Sequence, residues 1–520
     1  MIRLRITDDK RHLQVYEYSL KSEINYLRKH FRKKSKDADF NCKDDDCFDF
    51  FVSKDLKIPI GLWKEIGRFT NSTDIPTEID GISDLISDKL NKENYEKFVN
   101  ALYKGILTDK GEPFYPRDYQ YEGAYRALKY EFCCEELATS AGKTSIFFTY
   151  LSYLKFIKKI DKNNKALLIV PNVNLVTQTK AAFEQYSNGL VTWKIHIVGG
   201  DKNNFNIDEF NECDILITTY QSMLNLVPKC LENRIKNLQL KPIKKGEAEK
   251  RQSDISSLKI KLKDAQLNDI CANFNVVCVD EAHKSRGNSI GDILDSCRNW
   301  NFKLGLSGTL NIDKEYSDFF RMQERMGPLV MTLSAKHLMD NDYSPDVKIK
   351  QVFMEYDDYD HTTREYLRIQ SDPELREKVK NQFYDAKQFG KRMLEIEKQI
   401  IFDSKERLNF ISRLIKKLGK NTLVLFSDVK NEYGLKVSEA IKEWNENTFY
   451  IDGGVNSSDR DEYKDMMEHP NQMTILKFEG DVEIKVNQFK RVKLTNGIVK
   501  LAKDITLDDD IDNSWIKSNK

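Results

Sequence analysis

Residues 137–144 read LATSAGKT, and this octapeptide decides the fold. Residues that can close a strand precede it, and a helical run, SIFFTYLSYLKF, follows. A loop placed at a helix N-terminus aims free backbone N–H groups at a phosphate. Thr139, Ser140 and Ala141 form the loop and Gly142 permits its tight backbone. Lys143 is placed to neutralise β- and γ-phosphates, and the Thr144 hydroxyl to coordinate Mg²⁺. The general phosphate-loop pattern has a glycine where Leu137 stands, so the stretch needs support from its surroundings.

That support comes from four apolar runs of strand length: ALLIVP, DILITTY, NVVCVDEAH and FKLGLSGT. Each is rich in branched residues and ends in polar ones, as buried parallel strands of an α/β sheet do. Functional residues of such sheets gather at the carboxyl ends of the strands. DEAH, residues 280–283, sits at one of these ends. There Asp280 can hold a metal through water, Glu281 can position and activate the attacking water, and His283 completes the group. Acids at a helix start also satisfy the macrodipole. A phosphate loop upstream in the same sheet makes the catalytic reading the stronger of the two. Ser307 and Thr309, in the SGT that ends the next run, can link the acidic pair to neighbouring backbone or to a second domain. Upstream, PRDYQ offers Gln120, whose amide can donate to and accept from an adenine edge at once, and Arg117, which can stack on a base or approach a phosphate. The expected cofactors are therefore ATP and Mg²⁺.

The 520 residues suffice for three or four domains, and 40% hydrophobic content supports ordinary cores. Residues 1–110 read as a small α+β unit, with Ile2, Leu4 and Ile6 alternating as on a half-buried strand. Residues 111–345 read as the phosphate-loop sheet, interrupted by a Lys-rich helical insertion near 230–270. Residues 346–476 read as a second, partial α/β unit with NTLVLF, NTFYID and MTIL as strands. Residues 477–520 read as a β-rich tail in which Asn496-Gly497 signals a hairpin.

A net charge of +1 excludes a uniformly basic coat, so a nucleic-acid surface has to come from local clusters. One comprises Arg28, Lys29, Arg32, Lys33, Lys34 and Lys36; another comprises Lys241, Lys244, Lys245, Lys250 and Arg251. A solvated helix face explains either cluster taken alone. The nine cysteines lack zinc spacing and read as buried free thiols of a reducing compartment. MIRLRITDDK is not a signal peptide, and no apolar run approaches the ~20 residues that span a bilayer. A cytoplasmic protein, in the host cell if phage-encoded, is the expectation.

Together these residues resemble superfamily 2 DNA helicases, which implies two RecA-like lobes. PRDYQ resembles the adenine-reading Q motif, LATSAGKT motif I, LLIVPNVNLVTQ motif Ia, LITTYQSM motif Ib, DEAH motif II, SGT motif III and NTLVLFSDV motif IV. The segment IPIGLWKEI and the turn GLSGTL strengthen a likeness to the phage UvsW-type helicases, relatives of the RecG and type I restriction motors. The resemblance implies ATP-dependent work on branched or single-stranded DNA: fork reversal, junction migration and annealing. It also implies sequence-independent backbone contacts by Pro171, Asn172, Gln178, Thr218, Thr219 and Gln221. Motif V and the Q-x-x-G-R-x-x-R helix of motif VI, which carries an arginine finger, do not occur in residues 1–520. Loss of such a finger lowers turnover by about 10³–10⁵. Three accounts of this stand open. The gene is truncated, split or interrupted, with a tail faintly like a protein-splicing β module; a partner chain supplies the rest of the second lobe; or the chain binds ATP and DNA, or anneals DNA, with a vestigial ATPase.

Overall fold

The computed structural model describes residues 1–35, 47–87, 90–107, 111–187, 190–199, 205–240, 248–310, 316–354, 361–382, 386–419, 422–426, 433–445 and 448–452, and shorter stretches from there to 505. Two compact units divide the chain, Met1–Val347 and Lys348–Lys520.

The first unit opens with β1 (Ile2–Ile6) antiparallel to β2 (His12–Tyr18). The two-residue alternation puts Ile2, Leu4, Leu13 and Val15 on one face, and all four are buried. After the helix Lys21–His30 comes a short ribbon of β3 (Arg32–Lys34) and β4 (Phe48–Phe50). Then β5 (Lys57–Pro59) joins β2, and β6 (Thr77–Asp80) lies parallel to β1. IPIGLWKEI becomes a 3-10 turn, Ile60–Leu62, leading into the helix Trp63–Thr73. Gly61 is required there, because a Cβ would stand 1.9 Å from the Gln323 carbonyl oxygen. The glycine thus lets this turn lie directly on the helix Ser317–Met326. Phe31 and Phe51 pack their rings 5.9 and 5.3 Å from that of Phe320, and Arg321 pairs with Asp49 at 2.6 Å.

The larger sheet has seven strands: β7 (Phe132–Leu137), β8 (Lys165–Val170), β9 (Ile195–Val198), β10 (Ile215–Thr219), β11 (Phe274–Asp280), β12 (Phe302–Ser307) and β13 (Leu329–Leu333). Their order is β13-β7-β12-β11-β8-β10-β9 and every neighbouring pair is parallel. This is the RecA-like arrangement. The four apolar runs of the sequence are the adjacent strands β12, β11, β8 and β10, buried along their length except for Asp280 at the tip of β11. One face is covered by the helices Lys92–Tyr103, Asp118–Tyr130, Lys143–Phe156 and Val173–Tyr186. The other face shares a core with the N-terminal sheet and with the helices Asn288–Ser296 and Ser317–Met326. The two layers bury the sheet, and its functional residues emerge only at the carboxyl edge.

Between β10 and β11 the expected insertion forms a helical hairpin, Pro228–Leu240 against Ala248–Leu267, with a small core of Leu231, Ile235, Ile255, Leu258 and Ala265. Lys241, Lys244 and Lys245 lie outside the described residues, as do Lys36 and Cys42.

The second unit contains the helices His361–Ser371, Pro373–Lys380, Ala386–Asp403, Lys405–Leu418 and Tyr433–Lys442. Among its described residues up to 452 there is no strand, which corrects the strand expectation for NTLVLF and NTFYID. The two segments do meet, with Phe426 stacked on Tyr450 at 5.5 Å and 13°. Leu423 and Leu425 are 76% and 84% exposed, so one side of the first segment is uncovered, whereas a buried parallel strand needs cover on both. MTIL, expected as a third strand of the α/β unit, belongs instead to an antiparallel hairpin, Met473–Phe478 with Val482–Asn487. Arg491–Lys493 pairs antiparallel with Val499–Leu501 on either side of the Asn496-Gly497 signal, which itself lies outside the described residues.

Seven cysteines are free and buried, but Cys47 is disulfide-bonded, which corrects the expectation of free thiols at that position. Among the described residues no helix is long and apolar enough to cross a membrane.

Candidate nucleotide site

β7 ends at Leu137, and the helix Lys143–Phe156 starts after the five residues of the loop. Gly142 caps this helix at φ 74° and ψ 43°, and Ser140 is also left-handed at φ 69°. The free N–H groups of the first helical turn therefore open at the carboxyl edge of the sheet. Leu137 is fully buried at the strand end. An apolar residue at that position finishes the strand, and the left-handed turn is made further on, at Ser140 and Gly142.

Lys143 brings the loop and the acids together. Its Nζ donates to Glu281 Oε1 at 2.7 Å and lies 3.4 Å from Asp280 Oδ1. β7 and β11 are separated by β12 in the sheet, so only their carboxyl ends, with side chains leaning over Ser307, allow this meeting. Burial raises the Asp280 carboxyl above its ordinary value, although the Lys143 charge pulls against this. Glu281 is less deeply placed. Burial pushes it up, but the Lys143 hydrogen bond and charge, His283 and the Ser307 hydrogen bond together bring it below its ordinary value. Glu281 itself adopts φ 58° and ψ 53°, a left-handed backbone for a non-glycine residue, as often occurs at functional sites.

Ser307 ties the third strand end to this pair. Its Oγ donates to Glu281 Oε2 at 3.2 Å and stands 2.8 Å from His283 Nδ1. The backbone N–H of Thr309 in turn donates to Ser307 Oγ at 3.3 Å. His283 is pushed below its ordinary value, chiefly by burial, so its neutral form is the prevailing one near neutral pH. In this arrangement His283 and Ser307 position Glu281. Glu136, which no motif pointed to, accepts from the Leu310 N–H at 3.2 Å and fastens the SGT turn to the phosphate-loop strand.

Gln120 reaches the loop from the helix Asp118–Tyr130. Its Nε2 donates to the Ala141 carbonyl at 2.8 Å and its Oε1 accepts from the Arg117 N–H at 2.9 Å. A Cβ on Gly142 would stand 2.2 Å from Gln120 Nε2, a second reason for glycine there. Arg117 is not directed at the loop. Its guanidinium lies 4.5 Å from the Tyr343 ring centre and donates to the Tyr119 hydroxyl at 3.0 Å. Tyr119 and Tyr343 meet edge to face at 5.5 Å, giving an aromatic and guanidinium cluster beside the loop.

The donor set suits a magnesium nucleotide. Asp280 and the Thr144 hydroxyl are hard oxygen donors, and Mg²⁺ commonly takes one or two such protein ligands while nucleotide phosphates and water supply the rest. No group of three or more His, Cys, Asp or Glu able to hold a metal occurs among the described residues, so an all-protein metal cage is not part of this site.

Residues 114–312 match the family model for the res subunit of type III restriction enzymes, a span that runs from just before PRDYQ to just past SGT. Among curated proteins, the chain is 22% identical over 452 residues to the ATP-dependent DNA helicase uvsW of Enterobacteria phage T4, covering 85% of this chain and 73% of that one. Residues 114–312 form a superfamily 2 helicase domain. Two crystal structures of UvsW from the same phage also match at 19% identity and a TM-score of 0.46. One covers 64% of this chain and 99% of its own; the other covers 90% and 78%.

In this helicase lobe the residues carried over as backbone contacts fall into two groups. Asn172 and Gln178, on the helix that follows β8, are exposed, as is Gln221 after β10; Pro171 is half-buried. The Asn172 side chain already caps its helix by accepting from the Leu175 N–H at 3.0 Å. Thr218 and Thr219 are buried. The Thr218 hydroxyl donates to the Val198 carbonyl at 2.8 Å, and Thr219 caps the turn Tyr220–Met223 through the Ser222 N–H. Both threonines therefore hold β10 in place, and the structure leaves neither hydroxyl facing outward.

Proposed function

We propose that this chain is an ATP-dependent DNA translocase of the helicase type, acting on branched or single-stranded DNA. The observation that carries the reading is the convergence of Lys143, Asp280 and Glu281 at one point of the carboxyl edge, with Lys143 Nζ 2.7 Å from Glu281 and 3.4 Å from Asp280. The helix N-terminus after Gly142 and the Lys143 ammonium would bind the phosphates, and Thr144 with Asp280 would hold Mg²⁺, which when bound supplies charge neutralisation at the phosphates. Glu281, kept ionised by Lys143 and Ser307, is the group suited to accept a proton from water. Gln120 would read the base while its second hydrogen bond steadies the loop. Pro171, Asn172, Gln178 and Gln221 lie along the same edge and suit sequence-independent backbone contact.

Residues 1–520 contain no Q-x-x-G-R-x-x-R, and for these residues alone we expect nucleotide binding with slow hydrolysis. The exposed Arg28 and Lys29 of the N-terminal unit are a second proposed DNA contact. Helicase work on cellular or phage DNA would place the protein in the cytoplasm.

The test is nucleotide binding and steady-state ATPase of the parent and of Lys143→Ala, with and without forked DNA. We expect the parent to bind nucleotide and to be stimulated by DNA. Lys143→Ala should lose turnover by about 10²–10³, the usual cost of removing one charge-stabilising donor. Turnover that is indifferent both to DNA and to this substitution would overturn the reading.

A further inference from the structure

The helical hairpin between β10 and β11 has more positive charge than its fold uses. Residues 228–267 hold eleven Lys or Arg against five Asp or Glu, in a chain whose net charge is +1. Its own stability comes from the apolar seam of Leu231, Ile235, Ile255, Leu258 and Ala265, and no lysine is needed there.

The root of the hairpin is braced. Lys229 pairs with Asp292 at 3.1 Å and Asp295 at 3.3 Å, and Asn233 donates to Asp292 at 2.7 Å. Those acids belong to the helix Asn288–Ser296, which follows the Asp280–His283 segment directly. The hairpin therefore stands as a braced arm, its root held between the helix Asn288–Ser296 and the segment that enters β11 at its amino end.

Away from the root the pairing stops. Lys236, Lys250, Lys259, Lys261 and Lys263 are exposed and form no ion pair among the described residues. Steps of four, three and four place Gln252, Ser256, Lys259 and Lys263 along one flank of the helix Ala248–Leu267, all exposed, with Glu249 one further step of three back at the start of the helix. Asp254 and Asp264 fall on the opposite flank. Two lysines four residues apart repel and so weaken an isolated helix. A solvated face chosen for stability would alternate signs here.

We propose that this flank is a nucleic-acid docking surface that takes the phosphate backbone of the DNA on which the helicase lobe acts. Lysine ammonium groups and neutral amide and hydroxyl donors match phosphate oxygens without reading bases. The inference rests on the helicase reading above.

The experiment measures fork-DNA binding across a salt series for the parent, for Lys259→Gln/Lys263→Gln, and for the control Lys158→Gln/Lys159→Gln. The control removes equal charge at the amino-end side of the sheet, just before β8. Circular dichroism shows whether helix content is kept, and Lys259→Arg/Lys263→Arg should restore binding. If both lysines contact duplex phosphates, the plot of log affinity against log salt flattens by about 1.8 in the first variant and not in the control. Equal slopes in parent and Lys259→Gln/Lys263→Gln, or an equal loss in the control, overturn the docking surface and leave the helicase reading intact. A parent that binds no DNA at low salt overturns both.

Discussion

Glu135 should make the first unit less stable as pH rises, and Glu135→Gln should remove that dependence. The residue is fully buried in β7, two positions before the strand ends, and neither carboxylate oxygen has a hydrogen-bond partner among the described residues. It fits only because Gly123 opposes it, where a Cβ would lie 2.8 Å from Oε2. Burial raises its pKa from 4.5 to about 8; the Arg126 charge resists the rise and Glu122 adds to it. The folded state therefore keeps a proton that the unfolded state releases above 4.5. Below that pH both states are protonated and no penalty arises. Between 4.5 and about 8 folding must take up one proton, at about 1.4 kcal/mol per pH unit. The total approaches about 5 kcal/mol and is constant above pH 8, with about 3 kcal/mol in force at pH 7.

Glutamine has the same shape and cannot ionise, but its buried amide carries its own cost of about 1–3 kcal/mol. The variant should thus be less stable than the parent at pH 5, close to it near pH 6–7, and more stable at pH 8.5. Urea or thermal midpoints of both proteins across this range give the difference curve. A difference rising by about 1.4 kcal/mol per pH unit supports the buried proton. Parallel curves across pH 5–8 would refute it and show that Glu135 ionises with water or a counter-ion at hand.

Gly142→Ala combines a left-handed φ of 74° with a Cβ placed 2.2 Å from Gln120 Nε2, so we expect a loss of about 1–2 kcal/mol in thermal stability and weaker nucleotide binding by fluorescence titration. Ser307→Ala breaks the link between Glu281 and His283, and because Ser307 acts through Glu281, kcat for ATP should fall about tenfold while KM stays within about twofold. Thr218→Val removes one buried hydrogen bond, so the melting temperature should drop by the equivalent of about 1 kcal/mol while the salt slope of DNA binding stays that of the parent; Gln221→Ala should show the reverse pattern.

The motifs were legible because each follows a run of branched apolar residues that can only be a buried strand, and parallel sheets deliver strand ends to one edge. The packing of Lys143 on Asp280 and Glu281 follows from that rule once the strand order is known. Less of β7 was legible, because FCCEEL places two carboxylates inside a strand that the fold buries nonetheless. β9 and β13 are short edge strands with half-exposed residues, so their sequences carry little contrast with a loop. The surroundings of Arg117 could not be read locally, since Tyr343 is brought to it from 226 residues away. Thr218 shows a different limit. Likeness to a motif assigns a place in the chain, but the direction of a side chain at a strand end is set by the neighbouring strand, here by the Val198 carbonyl of β9. The same reasoning separates the two lysine groups that sequence alone treats as equal. Arg32 lies 3.9 Å from the Phe48 ring centre and Lys33 4.7 Å from that of Phe320, so those cations serve packing within the N-terminal sheet region and against the helix Ser317–Met326. Lys259 and Lys263 have no such neighbour among the described residues, and they are the charges the proposed docking surface uses.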